Sequence, residues 1–91
     1  MTFSPEEFEA LKSLIDDEED TLVLSKLKIK ARRLDLHKLR VRAIVFGEDA
    51  LDDREEEALR ELPSTVDELE EAHKLIEERL EKLRAYLPSG K

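Results

Sequence analysis

Between Leu22 and Phe46 the sequence repeats every seven residues, and the repeat carries two apolar rows instead of one. Its units are Leu22-Val23-Leu24-Ser25-Lys26-Leu27-Lys28, Ile29-Lys30-Ala31-Arg32-Arg33-Leu34-Asp35, Leu36-His37-Lys38-Leu39-Arg40-Val41-Arg42 and the partial unit Ala43-Ile44-Val45-Phe46. The first and sixth places of each complete unit are apolar, and the third is apolar except at Lys38. A seven-residue period keeps chosen side chains on one stripe of a helix and so marks helix-on-helix packing. Leu22, Ile29, Leu36, Leu39, Ala43 and Phe46 form one row, in phase with Phe8 and Ile15. Leu24, Leu27, Ala31, Leu34, Val41 and Val45 form a second row on the other side. A helix with two such rows calls for partners on both faces.

Local signals divide the chain into helices. Ser4-Pro5-Glu6-Glu7 places a capping hydroxyl, a first-turn proline and a capping-box glutamate in order, with Phe3 and Phe8 at the hydrophobic-staple positions. A first helix, 5–16, then meets Asp16-Asp17-Glu18-Glu19-Asp20. Five acids at a helix C-terminus oppose its dipole, so a break is expected there, with Asp20 or Thr21 capping the next helix. The seven-residue spacing of Phe8, Ile15, Leu22 and Ile29 runs straight through the acids, which leaves one continuous helix as the alternative. From 21 to 46 there is no Gly, Pro or Asn, which predicts a long helix of about 39 Å at 1.5 Å per residue. Gly47 is placed to end it. A short helix is expected over 52–62, stopped by Pro63. Thr65 and Glu68 have capping-box spacing, so the last helix is expected over 66–87, closed by Pro88 and Gly90. Its apolar side, Val66, Leu69, His73, Ile76, Leu80, Leu83 and Leu87, advances in alternating steps of three and four, the pattern of a left-handed helix pair.

These elements imply an all-α fold: a small helical bundle with a long central two-faced helix, 21–46, antiparallel to helix 66–87, with the 5–16 helix beside them. The competing reading is α+β, with a β-hairpin inside 21–46, because Lys26 to Arg32 and Leu39 to Ala43 alternate polar and apolar residues. Against it, 33–37 offers no residue suited to the positive φ that tight hairpins favour.

The 91 residues fit a single helical domain, small enough that idealised packing or a partner chain is expected to supplement its core. Cysteine is absent, which excludes disulfides and thiolate chemistry. No apolar run approaches the roughly 20 residues that span a bilayer, and the start lacks a signal-peptide layout, so no membrane association and a cytoplasmic location are expected. Asn and Gln are also absent. Hyperthermophile proteins avoid these amides, and de novo designed helical proteins fill their surfaces with stronger helix formers; both origins, and a thermostable chain, fit. Charge is segregated: 1–20 holds eight acids and one base, 21–47 eight bases and one acid, and 48–91 fifteen acids and seven bases. Such blocks suggest that the helices select one another partly by charge.

Few residues point to chemistry. Lys26, Lys28, Lys30, Arg32, Arg33, Lys38, Arg40 and Arg42 could line nucleic-acid phosphates. The acidic whole (net charge −8) and the lack of aromatic residues from 21 to 45 make that the minor reading beside pairing with acids of the other helices. Glu70 and His73 have the Glu-x-x-His spacing of di-iron carboxylate bundles, with Glu77 one turn on. There is only one copy, and 21–46 supplies no Glu, so a di-metal site would have to be assembled at a dimer interface. His37 beside Asp35 is a weaker version of the same idea. The acids at 16–20 and 52–57 could imitate nucleic-acid phosphates, but first-turn acids beside a helix dipole explain Asp52 and Asp53. There is no nucleophile-and-base spacing and no glycine-rich phosphate loop. No cofactor, metal site or catalytic residue is therefore expected. The leading expectation is a non-enzymatic structural or protein–protein interaction module. It would self-associate, most simply as a dimer, through Leu24, Leu27, Ala31, Leu34, Val41 and Val45.

Overall fold

The computed structural model describes residues 3–88. Two long helices, α1 (Pro5–Phe46) and α2 (Asp53–Arg84), lie antiparallel and are joined by a single 3-10 turn at Glu48–Ala50. The fold is therefore an all-α helical hairpin. No strand occurs among the described residues, and the β-hairpin alternative for 21–46 is overturned. The arrangement expected between the central helix and residues 66–84 holds, but the number of separate helices does not.

The expected break at 16–20 is absent: residues 5–16 and 21–46 belong to one helix of 42 residues. These acids lie in mid-helix, far from the last turn where the opposing field of the dipole is concentrated, so they do not end the helix. Two of them are also matched across the hairpin. Glu18 accepts from Arg79 at 3.4 Å, and Glu19 pairs with Arg84. The capping role assigned to Asp20 or Thr21 disappears, and the Thr21 hydroxyl donates to the carbonyl of Asp17 at 2.9 Å instead.

Residues 52–62 and 66–87 likewise merge into α2, with Pro63 inside the helix. An interior proline costs about 3 kcal/mol relative to alanine. Packing on both sides of it outweighs that cost, since Leu62 is half-buried and Val66 is buried. Thr65 caps nothing; its hydroxyl donates to Glu61 O at 3.2 Å within the helix. The helix ends at Arg84, not at Leu87, and Ala85 to Leu87 follow in turns. Gly90 lies outside the described residues.

The terminal signals at Ser4 and Gly47 hold. Ser4 and Glu7 form the capping box at the start of α1, and Asp52 and Glu55 form another at the start of α2. Gly47 ends α1 at φ 89° and ψ 156°, a backbone region open almost only to glycine. Phe3 packs against the core and against Tyr86, with ring centroids 5.7 Å apart.

The seam between the helices is built from the predicted rows. Leu11, Ile15, Ile29 and Leu36 of α1 are buried against Val66, Ile76 and Leu80 of α2, with Leu51 buried at the turn. Leu22, Leu39 and Ala43 are half-buried in the same row. Phe46 departs from it: at 72% exposure it lies beyond the facing helix. The whole predicted side from Val66 to Leu87 is buried or half-buried, with Leu87 lying beyond the end of α2.

Candidate interaction face on the outer side of α1

The second row of α1 sits behind the seam. In a helix near 3.5 residues per turn, positions two and five places beyond the first seam position lie on the side away from the partner. That is where Leu24, Leu27, Leu34, Val41 and Val45 fall, each between 53% and 63% exposed. Ala31 is exposed between them. Val23 and Ile44, two residues outside the predicted set, border the strip and are also largely uncovered. The 5–16 segment, expected as a separate helix beside the long one, continues the α1 axis instead and shields none of this row. Each half-exposed aliphatic side chain retains roughly 1 kcal/mol of unrealised burial, by the usual scale for Val, Leu and Ile. A row of such length exceeds the scattered apolar exposure that soluble surfaces carry without consequence.

The cations do not share one face. Arg33 pairs with Glu70 of α2, Arg42 pairs with Glu55 at 3.1 Å, and Arg32 pairs with Asp35 of its own helix at 3.2 Å. Among the described residues, Lys26, Lys28, Lys30, Lys38 and Arg40 make no ion pair. Lys38 lies within the outer row, Lys28 and Lys30 border it, and Lys26 and Arg40 lie nearer the seam, as their places in the repeat dictate. Pairing across the hairpin therefore engages two of the eight, a smaller share than the charge blocks suggest.

Inside the seam, Ser25 and His73 form a polar layer. Ser25 Oγ and His73 Nδ1 share a hydrogen bond at 3.1 Å, with its donor set by the imidazole tautomer. Glu77 Oε1 lies 4.0 Å from His73 Nε2. Sequence reasoning placed His73 in the seam but missed Ser25, although the step 22, 25, 29 contains its position. The sequence Ser–His–Glu has the residue types of a hydrolytic triad. Its setting offers no oxyanion donors, because the backbone N–H groups around Ser25 are committed to the helix ladder. The layer instead satisfies two polar groups that the seam would otherwise bury unpaired. Glu70 is turned to Arg33. Among the described residues no group of three or more His, Cys, Asp or Glu side chains is placed to hold a metal ion.

Beside this layer an open groove of about 930 Å³ runs between the helices, bordered by Lys26, Arg33 and His37 on α1 and by Glu71, Lys74 and Glu77 on α2. Charges of both signs line it, so it selects no ligand class. No helix among the described residues is long and apolar enough to cross a membrane. No protein-family model matches the sequence, and no curated protein or solved structure is significantly similar to it.

Proposed function

We propose that this chain is a non-enzymatic helical interaction module that self-associates through the outer face of α1. The observation that carries this reading is the uncovered row Leu24, Leu27, Leu34, Val41 and Val45, which lies opposite a seam already occupied by α2. The row has the apolar residues of a packing surface and no element packed over it among the described residues. Dimerisation is the simplest association that covers it, because a twofold contact lets one face serve both partners.

Molecular mass in solution tests the proposal. Leu34→Asp with Val41→Asp should reduce a dimeric mass to that of the 10.6 kDa monomer. Helix content by circular dichroism should persist, because neither side chain belongs to the buried seam. A wild-type chain that stays monomeric at millimolar concentration would refute self-association. The alternative reading as a nucleic-acid binder rests on the five cations without ion pairs. It predicts salt-dependent retention of mixed DNA or RNA that weakens when Lys28 and Lys30 become Glu.

A further inference from the structure

The outer face of α1 is not uniform along its length. From Leu24 to Val45 it is apolar with basic neighbours, whereas Asp16, Asp17 and Asp20 continue the same exposed side toward the N-terminus. One polar residue, Lys38, interrupts the apolar row, and neither Lys38 nor Asp20 has an ion-pair partner among the described residues. In one chain they are 18 residues apart on a single rigid helix, about 27 Å at 1.5 Å per residue, so they cannot meet.

We propose that the occupant of this face is a second copy of α1, running antiparallel about a twofold axis level with Ile29, so that Lys38 of each chain meets Asp20 of the other. This deepens the self-association reading and rests on it. The register follows from the repeat. Antiparallel helices packed through a seven-residue seam exchange registers only in steps of seven, because other shifts rotate the apolar row out of contact. About Ile29, Leu24 comes level with the partner's Leu34, Leu27 with the partner's Ala31, and Asp20 with the partner's Lys38. Every one of these pairs occurs twice. A shift by one repeat either way places Lys38 level with the partner's Leu27 or the partner's Ser13, and its charge then finds no acid in the seam. A parallel pair would set Lys38 against its own copy and the basic block against itself. The antiparallel register has two costs: Val41 and Val45 come level with the partner's Asp17 and the partner's Ser13, and Lys28 and Lys30 come level with the partner's Lys30 and the partner's Lys28, at the rim where water and salt screen them. The resulting assembly is a row of four helices, with the two α1 helices inside and the α2 helices outside.

Reciprocal charge reversal tests the register. Lys38→Asp alone and Asp20→Lys alone should each weaken the dimer roughly tenfold, as expected for a close charge pair at an interface, and the two together should restore it. Restoration can act only between chains, given the separation within one. The chain has no cysteine, so single cysteines report the register directly. A short bis-maleimide should join Lys30→Cys chains, whose labelled positions flank the axis. It should not join Leu34→Cys chains, whose labels lie about 15 Å apart along the helices. Nor should it join Asp35→Cys chains, which would cross-link in the register centred one step toward the C-terminus. A dimer that cross-links through Leu34→Cys or Asp35→Cys, or that the double reversal fails to restore, overturns this register and leaves self-association standing. A chain that is monomeric throughout overturns both.

Discussion

Two sites show how much a single position can decide in a hairpin this thin. Gly47 holds φ 89° and ψ 156°, and a Cβ added there would meet nothing within 4 Å. The cost of Gly47→Ala is therefore conformational and not steric, and it should lower stability by about 1–3 kcal/mol in urea titrations. The pair Ser25 and His73 makes a different point. His73→Leu removes one partner and leaves a buried hydroxyl to find a helix carbonyl, which should cost on the order of 1 kcal/mol. Adding Ser25→Ala to that variant removes the orphan and should recover most of the loss. If the double variant is less stable than His73→Leu, the layer supplies packing that this account does not credit. His73 could be placed in the seam from its spacing alone, whereas Ser25 could not, because a serine in a row of aliphatic residues reads as surface until its partner is known.

At the scale of the element, local breakers and caps proved weaker than the repeat that runs through them. Asp16 to Asp20 and Pro63 each satisfy a rule for ending a helix, and each lies inside one. The rules describe an isolated helix. Here Ile15 and Leu22 pack on either side of the acids, and Leu62 and Val66 on either side of the proline, so interrupting the helix would forfeit burial on both flanks. The seven-residue spacing of Phe8, Ile15, Leu22 and Ile29 already carried that information, because it reports tertiary packing where capping residues report only local preference. The signals at Ser4 and Gly47 held because the chain does leave the seam at those points. Pro63 then remains as a local penalty that the flanking burial outweighs but does not remove. Pro63→Ala restores the missing N–H to the helix ladder and should raise stability by about 2 kcal/mol, read as an increase in urea midpoint with unchanged slope. A decrease would mean that the pyrrolidine ring contributes packing worth more than the hydrogen bond.

The whole molecule is a rod of 63 × 20 × 16 Å with a radius of gyration of 19.9 Å. A compact chain of this length would have a radius near 12 Å, so the hairpin has little interior. Its accessible surface of 7347 Å² compares with about 5,500 Å² for a typical monomer of 10.6 kDa. The excess is roughly twice the ~800 Å² that each partner loses in a standard-size protein–protein interface. Part of that excess belongs to the rod shape itself, but the apolar row on α1 lies where a second rod would remove it. Among the described residues no large side chain is fully buried, so the intrinsic stability of the single hairpin rests on a one-layer seam. Mass action then has a direct thermal consequence. If folding and association are linked, the melting temperature must rise with protein concentration, since dilution favours the separate, less stable chains. Scanning calorimetry over a hundredfold range of concentration should show a steady upward shift for the wild-type chain. The Leu34→Asp, Val41→Asp variant should melt lower and at one temperature throughout. A wild-type melting point independent of concentration, in a chain shown to be monomeric, would mean that the seam alone holds the rod together and that the outer row has no second copy to cover it.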